Sequence, residues 1–160
     1  MGLDMYLFAN KHNHQFSRTE VETQIIEDAL IRLDNDFYNI VMQDQQELPS
    51  VSIVIEIGYW RKCNAIHKWF VDNVQNGIDE CQESYVGFDA LHKLQESLNE
   101  VIADPELGPK VLPTTDGFFF GDTSYDEFYI DDLKYTLEIV KRAIRLISEH
   151  DCIITYQSSW

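Results

Sequence analysis

The feature that most narrows the fold is a change of hydrophobic period along the chain. Leu3, Met5 and Leu7 alternate with Asp4, Tyr6 and Phe8, the period of two expected of a strand with one well-buried face over residues 3–10. From Val21 the apolar residues recur at helical spacing instead, through Ile25, Ala29, Leu33 and Phe37. They follow Ser17-Arg18-Thr19-Glu20, which has the Ser-x-x-Glu form of a capping box and predicts one long acidic helix over about 17–47, ending before Pro49. Val51 to Ile57 is β-branched and mostly apolar between Pro49 and Gly58, the pattern of a central strand covered on both faces. Tyr59 to Gln75 returns to helical spacing and stops at Asn76-Gly77. Ser84 to Val86 reads as a short strand, and Asp89 to Ala103 as a helix through Leu91, Leu94, Leu98 and Val101. Pro105, Pro109 and Pro113 make a loop, Ser124-Tyr125-Asp126-Glu127 offers a second capping box for a helix to about Glu149, and Cys152 to Gln157 closes as a strand. More residues read as helix than as strand, so the expected class is α+β, with residues 1–160 forming one domain in which a small mixed or antiparallel sheet packs with about four helices.

A chain of 160 residues, 44% of them hydrophobic, can bury a core without disulfides or a structural metal. Its charge is lopsided: 28 acidic residues against 12 basic ones give −16, which argues against a groove tracking a nucleic-acid backbone. Cys63, Cys81 and Cys152 are an odd, scattered set that suits a reducing compartment, so the cytoplasm is the expected location. Apolar runs such as Ile53 to Ile55 are far too short to span a bilayer, and the sequence shows no charged leader with an apolar core, so neither export nor a membrane partner is expected. Between Glu20 and Glu47 stand eight acidic residues and one basic one, Arg32. That density fits either a solvated helix face or an acidic docking surface that imitates nucleic acid.

The segment richest in chemistry is Tyr59 to Gln75. On a helical wheel Tyr59, Cys63, Ile66, Phe70 and Val74 form a core stripe, with Trp60, Asn64, His67 and Val71 on the adjacent flank. Trp, Asn and His there could supply a stacking surface, an amide and an imidazole to a pocket wall, or simply satisfy groups beside the core. Arg61 and Lys62 fall in the first turn of that helix, where free amides and the dipole already favour negative charge. Something anionic must compensate them, either a ligand phosphate or carboxylate at the helix N-terminus or one of the chain's own carboxylates. Cys63 and His67, four apart, with Cys81 or with His12 and His14, are too weakly patterned for zinc, and neither a metal nor another cofactor is expected. Gly117 to Tyr129 holds three adjacent phenylalanines, one of which must find a second buried surface, a ligand or a partner. Asp126 and Glu127 in the same run suit a helix cap better than general acid–base chemistry. Lys134, Lys141, Arg142 and Arg145 share a face with Glu138 and are expected to pair with it on a solvated side.

Met1 to Leu7 (Met-Gly-Leu-Asp-Met-Tyr-Leu), Tyr59 to Val71 (Tyr-Trp-Arg-Lys-x-Asn-x-Ile-His-x-Trp-Phe-Val), Gly117 to Tyr129 (Gly-Phe-Phe-Phe-Gly-x-Thr-x-Tyr-Asp-Glu-x-Tyr) and Tyr156 to Trp160 together cover about a quarter of the chain. In these motifs it resembles a family of small, uncharacterised proteins of tailed phages and prophages; the acidic helix is not part of that pattern and reads as a family-variable insertion. The resemblance implies context rather than reaction: an accessory product acting in the bacterial cytoplasm. The first expectation is a non-catalytic binder of a small anionic ligand, such as a nucleotide or nucleotide signal, that counters host defence. Trp60, Phe119 or Tyr125 would stack on a base, Arg61 and Lys62 would meet phosphate, and Asn64 and His67 would read polar edges. The second is an acidic protein–protein inhibitor or nucleic-acid mimic using Asp28, Asp34 and Asp36 against a host protein. The third is a small enzyme pairing His67 with Asp126 or Glu127, which no nucleophile, phosphate-loop or metal motif supports.

Overall fold

The alternation at the start of the chain becomes an inner strand of a sheet. In the computed structural model, which describes residues 2–14, 18–118 and 120–160, β1 (Asp4–Asn13) lies between β2 (Val51–Arg61) and β4 (Ile153–Ser159), with β3 (Ser84–Tyr85) outside β4. The sheet is antiparallel, of order β2-β1-β4-β3. Its helices are α1 (Glu20–Leu33), α2 (Asn35–Met42), α3 (Asn64–Asn73), α4 (Phe88–Ala103), the single turn α5 (Gly108–Val111) and α6 (Glu127–His150). The class is therefore α+β. The chain divides into two compact units, one made of residues up to Asn10 with Val54–Trp160, the other of Lys11–Ile53.

The larger unit is built on one buried sheet face. Met5, Leu7 and Ala9 of β1 stand opposite Ser158, Tyr156 and Ile154 of β4, and all six are buried. Leu91, Leu94, Leu98 and Val101 of α4, with Leu133, Ile139, Val140 and Ala143 of α6, add the helical side of the same core, and α4 packs against α6. Burying each such aliphatic side chain stabilises by about 1.5–3 kcal/mol, so these faces hold the unit together. The cap of α6 is Asp126, whose carboxylate accepts from the amides of Phe128 and Tyr129; Ser124, expected in that role, serves an upstream turn instead. The proline-rich segment forms a 3₁₀ turn, Pro105–Leu107, and α5 rather than an irregular loop.

Two expectations fail at β2. The strand is at the sheet edge, not the centre, and Ile53, Val54 and Ile55 are 48–59% exposed. It also runs through to Arg61, so Tyr59, Trp60 and Arg61 belong to a strand rather than to the first turn of a helix. Gly58 looked like a boundary for a different reason: a Cβ there would lie 2.6 Å from the Ile139 side chain, so the missing side chain lets α6 lie against the strand. Beside it, Arg142 donates from Nη1 to the carbonyl oxygen of Ile57 at 2.8 Å, leaving Glu138 to Lys141 and Lys134 to Asp131. The turn into α3 comes only at Lys62, whose φ is 59°.

In the smaller unit the expected single helix is two. Asp34 ends α1 and starts α2, its carboxylate accepting from the amides of Asp36 and Phe37 at 3.0 Å, which an unbroken helix would not allow. The capping box is Thr19 with Glu22, two residues later than the expected pair; Ser17 lies outside the described residues. Arg18 donates to the carbonyls of Leu48 and Pro49 and so closes the unit, with Leu48 buried. The stripe Val21, Ile25, Ala29, Leu33 and Phe37, whose spacing suits a packed face, is exposed along its length. Among the described residues no helix is long and apolar enough to cross a membrane.

Candidate ligand cleft

The site grows out of the β2–α3 turn. Lys62 donates its amide to the carbonyl of Leu3 at 2.7 Å, adopts the left-handed conformation and reverses the chain, so that α3 starts at Asn64 after an N-cap, Cys63, that makes no side-chain cap bond. The amide of Asn64 donates to the carbonyl of Lys62 at 3.0 Å, and the helix start, without a side-chain cap, keeps the positive end of the α3 dipole there. Asn64, buried in the first turn, fastens the segment before α6 over this point. Its Nδ2 donates to the carbonyls of Phe120 (3.2 Å) and Asp122 (2.7 Å), and its Oδ1 accepts from the amide of Thr115 at 3.1 Å.

Between turn and segment lies a cleft of about 260 Å³ lined by Arg61, Lys62, Cys63, Asn64, Ala65, Thr114, Asp122, Ser124, Asp126, Phe128, Tyr129 and Asp132. Each carboxylate in it is already engaged. Asp122 accepts from the amide and hydroxyl of Ser124 at 2.9 and 2.6 Å, hydrogen bonds that hold its carboxyl below the usual range. Asp126 caps α6. Asp132 is half-buried and meets the Cys63 thiol; burial, more than the neighbouring Asp131 and Asp126, pushes its carboxyl up. Burial and then the Asp132 charge push the Cys63 thiol well above its ordinary value, so sulfur stays protonated and donates. Tyr129 donates to the carbonyl of Leu112 at 2.8 Å, and burial raises its hydroxyl too. By contrast, Arg61 and Lys62 form no ion pair among the described residues.

The expected pocket wall is only partly assembled. Arg61, Lys62 and Asn64 meet at the cleft, although the two cations precede α3 rather than lying in its first turn, and Asn64 has its amide fully spent as a clamp. Trp60 is in the core, 2% exposed, with its indole N–H donating to Thr136 Oγ1 at 2.8 Å. Tyr125 stands beside the cleft, its hydroxyl accepting from the amide of Thr114 and its ring edge-on to Tyr129. Phe119 lies outside the described residues; of its neighbours, Phe118 is exposed and Phe120 sits edge-on to His67. Sequence reasoning missed Phe128, which lines the cleft and is 72% exposed, and the Cys63–Asp132 pair. Phe128 lay inside the quoted Gly117 to Tyr129 run, but nothing in sequence separates it from its packed neighbour Tyr129.

His67 turns away from all of this. It is 1% exposed, with Nε2 2.9 Å from Asp79 Oδ2 and Nδ1 2.8 Å from the Tyr156 hydroxyl. The carboxylate can only accept, so Nε2 carries the proton and, in the neutral ring, Nδ1 accepts from Tyr156. Tyr156 stacks on Phe70 at 4.0 Å and has its hydroxyl pushed well up, by burial first and then by the Asp79 charge. Trp160 donates to the other oxygen of Asp79 at 3.1 Å. With both ring nitrogens engaged by Asp79 and Tyr156, His67 is not paired with Asp126 or Glu127, the partners expected for it. Among the described residues no group of three or more His, Cys, Asp or Glu is placed to hold a metal ion.

Fold and site define an α+β protein with a half-enclosed cleft in which Arg61 and Lys62, without an ion pair among the described residues, stand beside engaged carboxylates. Compared with known proteins, the chain matches no family, no curated protein and no solved structure.

Proposed function

We propose that the cleft at the start of α3 binds a small anionic ligand without transforming it, and that a nucleotide or nucleotide signal is the class that fits best. The observation that carries this reading is the contrast between Arg61 and Lys62, which have no ion pair among the described residues, and Asp122, Asp126 and Asp132, each of which already has a partner. An internal carboxylate was the rival explanation for two cations beside a helix start, and among the described residues none is within ion-pair distance. Arg61 supplies a planar fork for a phosphate and Lys62 a point charge beside the positive end of the α3 dipole. A cleft of 260 Å³ is small for a whole nucleotide, so the phosphate end enters and the base lies outward, where the exposed ring of Phe128 offers a stacking face. The Cys63 thiol beside the cations is buried and held protonated, which does not suit it to act as a nucleophile. Sequestering such a signal suits the phage accessory role that the motif resemblance implies.

Isothermal titration with ATP, a cyclic dinucleotide and inorganic phosphate tests the reading. Arg61→Ala should weaken binding at least tenfold while leaving the melting temperature unchanged, and Phe128→Ala should weaken the nucleotides but not phosphate. Unaltered affinity in Arg61→Ala, or no binding by any of the three, would sink it.

A further inference from the structure

The smaller unit carries a surface with a different purpose. Val21, Ile25, Ala29 and Leu33 fall at i, i+4, i+8 and i+12 on α1, and Phe37 and Ile40 follow on α2. All are exposed, Val21 by 69%, Leu33 by 82% and Ile40 by 70%. Neither helix has a fully buried residue; Ile26, Leu30, Val41 and Met42 are half-buried and Leu48 beyond them is buried, while this stripe stays in the open. Isolated exposed apolar residues need no explanation, but a run of four at helical spacing along α1, with two more exposed on α2, is what amphipathic helices ordinarily keep dry.

The charge around the stripe indicates what would cover it. Glu20 and Glu22 stand at its start, Asp28 beside Ile25, and Asp34 and Asp36 at the passage from α1 to α2, all exposed. Arg32 is the only cation on either helix. The unit as a whole holds eight acidic and three basic residues, a net charge of −5. A second copy of the chain would bring the same acidic border against this one, and an anionic lipid surface would be repelled in the same way. An apolar ridge bordered by Lys and Arg satisfies both parts of the surface at once.

We propose that the α1–α2 face docks a basic amphipathic helix of a partner protein, its apolar ridge on Val21, Ile25, Leu33 and Ile40 and its cations on the acidic border. The recognition is helix on helix, with hydrophobic contact giving affinity and charge giving selectivity and speed of association. It is independent of the anion cleft, which lies in the other unit.

The probe is a synthetic 18-residue Leu/Lys peptide with leucines at i, i+3, i+4 and i+7, compared with a Leu/Glu peptide of the same pattern by fluorescence anisotropy on the full chain. The expected result is binding of the Leu/Lys peptide only, weakened about tenfold or more by Ile25→Ser with Leu33→Ser, and weakened again when salt rises from 50 to 300 mM. Equal binding of both peptides, or of neither, overturns the proposal. So does a dimer in sedimentation velocity that the same double substitution dissolves, since the occupant is then a second copy. A fall of several degrees in the melting temperature of the double variant also overturns it, because the stripe would then be covered by the chain itself. A single Asp28→Lys substitution, on the exposed border, separates the charge contribution: it should weaken the Leu/Lys peptide and leave stability alone.

Discussion

Lys62 and Gly121 meet back to back, both in the left-handed region, at φ 59° and 90°, and a Cβ on Gly121 would lie 2.9 Å from the Cβ of Lys62. The two turns that bound the cleft are thus held together by the absence of one side chain. Gly121→Ala should destabilise the protein by about 1–3 kcal/mol, from strain and the clash together. Urea denaturation measures the loss, and titration of the variant with phosphate should show a weakened cleft. A variant as stable as the parent would mean that the close approach is not needed.

Asn64 holds the cleft segment with three hydrogen bonds to backbone groups of Thr115, Phe120 and Asp122. Asn64→Ala leaves those groups without their partner and should cost about 2–4 kcal/mol. Limited proteolysis should then cut between residues 113 and 123 in the variant sooner than in the parent. Unchanged protection of that segment would argue against the clamp.

The raised carboxyl of Asp132 has a definite sign in a stability–pH profile. Burial is the main cause, so the folded protein binds this proton more tightly than the unfolded chain does. The contribution it makes is fully present below the ordinary carboxylate value of 3.8 and is lost as pH rises through the higher folded value. Asp132→Asn should therefore match or exceed the parent at pH 7, and the difference should shrink as pH falls toward 4. A variant less stable at pH 7 than at pH 4, relative to the parent, would show that the charged form is the favoured one.

Thiol reactivity should separate the cysteines. Cys63 is buried with its thiol held protonated, whereas Cys81 and Cys152 are partly exposed. Iodoacetamide at pH 8 should label Cys81 and Cys152 in the native protein and reach Cys63 only after denaturation, a pattern that peptide mass spectrometry resolves. Labelling of native Cys63 at a comparable rate would place it in solvent.

Tyr156→Phe removes one hydroxyl and leaves His67 Nδ1 without its donor in the core. The expected cost is about 1–3 kcal/mol in urea denaturation. His67→Ala should cost more, and the double variant less than the two together, because both act on one hydrogen-bonded chain.

The elements with one strongly apolar face could be read directly. Alternation identified β1, and the leucines of α4 and the long apolar face of α6 placed those helices to within two residues, because each buries a single side against one core. The β2–α3 boundary could not be read that way. Gly58 is a close approach to Ile139 rather than a stop, and shifting the helix start from Tyr59 to Asn64 moved Trp60 from a helix flank into the core. The break at Asp34 was hidden because an N-cap inside a helical pattern does not disturb the spacing of its apolar residues. At the cleft, Arg61 and Lys62 could be singled out as cations beside a helix start, and they are there. The bonds from Asn64 to residues more than fifty positions away, and those of His67 to Asp79 and Tyr156, belong to tertiary geometry that no local spacing encodes.

The bond from Arg142 to the carbonyl of Ile57 concerns what β2 refuses as much as what it holds. A strand at the margin of a sheet is a template on which any extended chain can add itself, and repeated addition is how soluble proteins become fibrils. A guanidinium seated on one of the acceptors of β2 interrupts that template with a bulky, permanently charged plug. Arg142→Ala should therefore leave a protein that folds and melts almost as before but fails slowly in concentrated storage, with thioflavin fluorescence rising over days. One side chain of α6 would then govern how long the native protein can be kept in solution.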